Sequence, residues 1–175
     1  MNKKNLVIFT FIFAIILGLN FDASGQRRKR KSRRARAAAA KARTAAEIRK
    51  GAESVAIQIK NVSKFVYVLG GISRGIEDID KDVKAGKASE EIAQKNEKFK
   101  ANVIRSIRAL RAGLVKLEVD FRAKPALRKY LLTLQGISLQ SGRAEDMAIS
   151  GRFHRSGQEL LLVVETLADT LVAMP

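Results

Sequence analysis

Along the middle of the chain, apolar or small residues recur at Ile48, Ala52, Val55, Ile59, Val62, Val66 and Leu69, in alternating steps of four and three. A mean period of 3.5 residues is the seam of a coiled-coil-like helix, whereas a half-buried strand would alternate at every second residue. The run from Phe65 to Leu69 has strand propensity of its own, but the seam continues on both sides of it, which assigns helix. The stripe then resumes at Ile72, Ile76, Ile79 and Val83, so that two three-residue steps adjoin at Leu69. Such a slip overwinds a supercoil locally. With Gly70, Gly71 and Gly75 beside it, the pattern predicts a kink or a close helix crossing at residues 69–75.

End signals divide the rest. Thr44-Ala45-Ala46-Glu47 is a capping box, which predicts that helix one begins near residue 45; it runs to about 85, where Gly86 supplies the stop. Ser89 followed by Glu90 and Glu91 opens helix two, residues 90–122, with Ile92, Phe99, Val103, Ile107, Leu110, Leu114, Leu117 and Phe121 on one face. Pro125 at a first-turn position opens helix three, residues 125–140. Three Ser-Gly pairs leave residues 141–157 open between helix, broken helix and loop. Ser156-x-x-Glu159 is a second capping box, and helix four, residues 157–174, carries Leu160, Val164, Leu167 and Leu171. Each stripe must meet another and the links are short, so the fold class is all-α: an antiparallel up-down bundle of about four helices, the first long and coiled-coil-like. Residues 45–85 would span about 60 Å, more than twice helix four, which leaves an overhang or a stripe for a partner chain.

Charge changes the picture at the N-terminus. The net charge is +17, from 34 Lys and Arg against 17 Asp and Glu, and residues 26–43 hold ten cations with no acid: Arg27, Arg28, Lys29, Arg30, Lys31, Arg33, Arg34, Arg36, Lys41 and Arg43. No apolar residue there is larger than alanine, so the segment cannot bury itself against anything and is expected to be a disordered basic arm, with nascent helix near residues 37–43. Arg-rich segments bind phosphates by releasing counterions, with a log-log salt slope of about −9 if ten duplex phosphates are neutralised. Anionic lipid headgroups or acidic polysaccharide would serve as well. The arm has no aromatic to stack a base and no pattern for reading base edges, so nucleic acid would be bound without sequence specificity.

Ahead of the arm, Lys3 and Lys4 precede fourteen uncharged residues, 6–19, followed by Ala23-Ser24-Gly25. This is the three-part layout of a secretory signal peptide, residues 1–25, cut before Gln26, and the apolar stretch is shorter than a bilayer core requires. The protein is expected to be exported. The alternative is a membrane-anchored chain held through residues 6–19, because dense positive charge after an apolar segment resists translocation. Residues 44–175 then form one bundle domain.

Chemistry is sparse. The absence of cysteine excludes disulfides, thiolate nucleophiles, zinc fingers and iron–sulfur clusters. Asp78-x-Asp80-x-Asp82 imitates the start of a calcium loop but lacks the glycine and the bidentate glutamate at the required positions, which are Val83 and Ser89, so a solvated acidic helix end is expected. His154, the single histidine, lies between Arg152 and Arg155, whose charge disfavours a catalytic base. Arg143, Arg152, His154 and Arg155, close before a helix start, form a weaker candidate anion site. Lys98, Lys100, Arg105, Arg108, Arg111 and Lys116 make helix two a wet cationic face. No catalytic constellation, metal site or cofactor site is expected, and the chain reads as a non-enzymatic protein whose arm binds polyanions. The competing reading is a structural or assembly protein that homo-oligomerises through the heptad seam of helix one.

Overall fold

A computed structural model describes residues 23–175, with side chains from residue 33 onward. The apolar stretch at residues 6–19 and the lysines before it lie outside the described residues. The chain divides into two units, Met1–Thr44 and Ala45–Pro175. The elements are α1 (Ala23–Lys84), α2 (Glu90–Ala123), a 3-10 turn (Arg128–Tyr130) that runs into the single turn α3 (Leu131–Leu134), α4 (Ile137–Ile149) and α5 (Phe153–Ala173). There is no strand among the described residues, and the fold is an all-α bundle whose long helices alternate up and down.

In the first unit the helix begins earlier than the capping box predicts. Thr44 lies inside α1, which starts at Ala23. Between Gly25 and Gly51 there is neither glycine nor proline, and Ala, Arg and Lys are all strong helix formers, so nothing before Thr44 stops the helix. Helical backbone over residues 26–43 takes in the helix expected near 37–43, and the segment keeps the character of a basic arm without a core of its own. Their described side chains, from residue 33, are all exposed, as a segment without large apolar groups requires.

The second unit is built on the seam of α1. Val55, Val62, Leu69 and Ile76, seven residues apart, are all buried. The expected slip at Leu69 does not occur. The next seam position is Ser73, fully buried four residues on, while Ile72 is 41% exposed. The heptad stays in phase because the register of the helix, not the polarity of each residue, decides which side chain faces inward. Accordingly α1 passes residues 69–75 as one helix. A Cβ at Gly70, Gly71 or Gly75 would meet nothing within 4 Å, so these glycines do not make the close crossing. The tight approach is at Gly51, where a Cβ would stand 2.7 Å from Leu127 Cδ2.

Gly86, with φ +69°, ends the first hairpin arm, and the Ser89 hydroxyl accepts from the Ile92 amide at 3.4 Å to start α2 as predicted. The α2 face buries Val103, Ile107, Leu114, Leu117 and Phe121, with Asn96 where the pattern turns polar. Ile92 and Phe99, expected on that face, are exposed.

Helix three departs most from expectation. Pro125 opens only a turn, closed by Leu127 N–H to Lys124 O at 3.0 Å. The regular helix waits until Ile137, because Gly136 takes φ +98° and breaks the chain after Leu134. Leu127, Tyr130 and Leu134 are nonetheless buried, closing one end of the core. The open stretch 141–157 resolves as helix to Ile149, a turn at Gly151 with φ +75°, and α5 from Phe153, four residues before the predicted start. Ser156 does not cap that helix. Its hydroxyl donates to Ala144 O at 2.7 Å, a buried bond that ties α5 to α4. The buried face of α5 is Phe153, Ser156, Leu160, Val163, Leu167 and Thr170, with Val164 and Leu171 only half buried.

Candidate functional site

Of the ten arm cations, Arg27, Arg28, Lys29, Arg30 and Lys31 lie on helical backbone with side chains outside the described set. The other five, Arg33, Arg34, Arg36, Lys41 and Arg43, are fully described and exposed. At 3.6 residues per turn, Arg34 and Lys41 share one face of the helix, seven residues apart, and Arg36 and Arg43 share another, with Arg33 beside them. The two faces are nearly opposite, so this part of α1 presents cations in two directions and no apolar face. None of the five is in an ion pair among the described residues, and their charge stays available to an external anion.

The cations of α2 are committed differently. Arg108 Nε and Arg111 Nη1 hold the two carboxylate oxygens of Glu145, at 2.7 and 2.8 Å, across the α2–α4 contact. Hydrogen bonds from Arg108 and Arg111 keep the Glu145 carboxyl below its ordinary carboxylate range, although burial works against them. Lys100 Nζ lies 3.1 Å from Asp80 and 2.7 Å from Glu97. Burial alone would depress the Lys100 ammonium, but its bonds to Glu97 and Asp80 outweigh that and raise it. Three of the six cations expected to form a wet face are thus structural, which leaves Lys98, Arg105 and Lys116 free of ion pairs among the described residues.

The acidic end of α1 is used inside the fold. Asp80 accepts from Asn96 Nδ2 at 2.8 Å as well as from Lys100, and Asn96 Nδ2 also donates to Ile76 O at 3.1 Å. Asp78 pairs with Lys81 one turn on. Glu77 reaches from α1 to the start of α5, where its Oε1 accepts from the His154 amide at 2.8 Å. The helix N-terminus considered as an anion site with Arg143, Arg152, His154 and Arg155 thus already holds a carboxylate of this chain. That interaction, the Glu145 triad and the buried Asn96 were missed from sequence. Each joins residues at least sixteen positions apart, and no local motif signals such a pair.

A cleft of about 490 Å³ opens here, with Glu77, Asp80, Glu97, Lys84, Lys100 and Arg152 among its lining residues. Its acids and bases largely neutralise each other and leave no single-sign field for a ligand. No group of three or more His, Asp or Glu side chains among the described residues is placed to hold a metal ion, and no helix of the described residues is long and apolar enough to cross a membrane. Comparison with known protein families, curated proteins and solved structures finds no match to this chain.

Proposed function

We propose that the protein is an exported, non-enzymatic helical bundle whose basic segment, residues 26–43, binds polyanions without sequence specificity. The observation that carries this reading is the contrast in how cations are used. Lys100, Arg108 and Arg111 of α2 are bonded to acids of the same chain, whereas Arg33, Arg34, Arg36, Lys41 and Arg43, five cations within eleven residues that hold no acid, are exposed and unpaired among the described residues. A helix with alanine as its largest apolar residue has nothing to insert below lipid headgroups, so its attraction to any anionic surface is electrostatic and salt-sensitive.

The competing reading, assembly through the heptad seam of α1, has less support. Val55, Val62, Leu69 and Ile76 are buried in this chain's own core, and that stripe is not free between those positions.

The test compares the full mature chain with one lacking residues 26–43 on heparin, duplex DNA and anionic vesicles over a salt series. The full chain should bind all three, with a log-log slope on duplex approaching about −9, and the shortened chain should elute at low salt. Equal retention of the two forms would overturn the proposal. Mass spectrometry of the native N-terminus tests export separately: a chain beginning at Gln26 is expected, and an intact residue 1–25 segment favours the anchored alternative.

A further inference from the structure

Helix α1 has a second stripe, opposite its seam. Ile57, Lys64, Val68, Gly71, Gly75 and Asp78 follow one another in heptad phase along its outer face, and all are exposed. Ile57 and Val68 on this face are 53% and 52% exposed. Beside Val68 the stripe borders an open groove of about 510 Å³, walled by Phe65 and Ile72 of α1 and by Phe99 and Leu110 of α2, and Phe99 is itself 60% exposed.

We propose that this face is a self-association surface on which a second copy of the chain lays its own α1 antiparallel. Charge selects the occupant. On this face Lys60 and Lys64 precede the apolar and small centre, and Asp78 and Asp82 follow it. A two-fold axis at Gly71 sets Lys64 against Asp78 of the second copy, each seven residues from the axis, and Lys60 against Asp82, each eleven residues away. A parallel copy would oppose Lys to Lys and Asp to Asp. A uniformly acidic partner would meet the two aspartates, and a uniformly basic one the two lysines. Lys60, Lys64 and Asp82 are in no ion pair among the described residues, and the bond of Asp78 to Lys81 is a solvated pair that competes weakly.

The glycines point the same way. Glycine weakens a helix relative to alanine, yet the fold asks for no glycine at 71 or 75, since a Cβ there meets nothing within 4 Å. A second backbone crossing at this point gives their missing side chains a use. It also brings Val68 and the groove residue Phe99 under cover. This inference is independent of the polyanion proposal, because it concerns a different face and a different partner.

Sedimentation equilibrium of the full chain tests it, with circular dichroism as a check on folding. The wild type should dimerise. Lys64→Asp and Asp78→Lys should each raise the dissociation constant at least about tenfold, and the double variant K64D/D78K should return to within about threefold of wild type. Gly71→Leu should abolish the dimer while leaving helicity unchanged or higher. A monomer at every accessible concentration overturns the proposal, and so does a dimer indifferent to K64D and G71L.

Discussion

The interior of the bundle differs from one end to the other. Around the 127–134 connection, the core is Val55, Leu117, Phe121, Leu127, Leu134, Leu167 and Met174, with Thr170 and the Tyr130 hydroxyl as the polar groups among them. At the end where α1 meets the α4–α5 turn, Ser73, Asn96, Glu145 and Ser156 are buried among the apolar residues. At that polar end, hydrogen bonds run between helices: Asn96 to Ile76 and Asp80, Arg108 and Arg111 to Glu145, Ser156 to Ala144, and the His154 amide to Glu77. The apolar end is held by burial of its side chains, which many rotations of a helix would satisfy. At the polar end the bonds of Asn96 Nδ2, Glu145 and the Ser156 hydroxyl form at one axial and rotational setting, and they select among those rotations even though Ser73 Oγ and Asn96 Oδ1 have no partner there.

Substitutions at each end put this division to the test. Phe121→Ala should have the largest effect, a loss of about 3–5 kcal/mol in urea unfolding, from a fully buried ring that leaves a cavity. A loss below about 1 kcal/mol would show that the apolar end does not dominate stability. Asn96→Ala should cost about 1–3 kcal/mol, because Asp80 loses a buried donor. If the polar end sets register, this variant should also lose sharp amide dispersion in NMR spectra, an effect not expected of Phe121→Ala at matched stability. The smallest change is expected of Glu145→Gln, about 1 kcal/mol at neutral pH, since the arginines it meets are 60% and 46% exposed and water screens the pair. Its signature is the pH dependence. The folded pKa of Glu145 is lowered, so its contribution is present above the unfolded glutamate pKa and is lost as pH falls through the folded value. The wild type should lose stability on acidification in that window relative to E145Q, and parallel pH profiles would contradict the ion triad.

The apolar seam positions of the long helices were the legible part of the core in sequence. Val55, Val62, Leu114, Leu117, Phe121, Leu160 and Leu167 fall at heptad steps, and all are buried. The reading failed where polar residues occupy inward positions. Apolarity alone puts Ile72 in the seam, although the period of the preceding residues points to Ser73, which is the buried one. On α5 the true face includes Val163 and Thr170 in place of Val164 and Leu171. Ser156 looked like a cap because its local spacing fits one, but a carbonyl on another helix claims its hydroxyl. The start of α1 was missed for a different reason: a capping box marks a boundary only where the preceding residues resist helix, and here they favour it. The exposure of Arg33, Arg34, Arg36, Lys41 and Arg43 follows from the composition of their own segment, whereas the commitment of Lys100, Arg108 and Arg111 to acids on other elements or one turn away has no local signal.

The final helix has a consequence for biosynthesis. Leu69 lies against Gly157, and Met174 approaches Gly51, so α5 covers both ends of the α1 seam. A polypeptide still lacking the 21 residues of α5 has Val55, Val62 and Leu69 open to water on that side. From the synthesis of Leu69 until α5 docks, the nascent chain offers a sticky aliphatic ribbon to any holdase it meets.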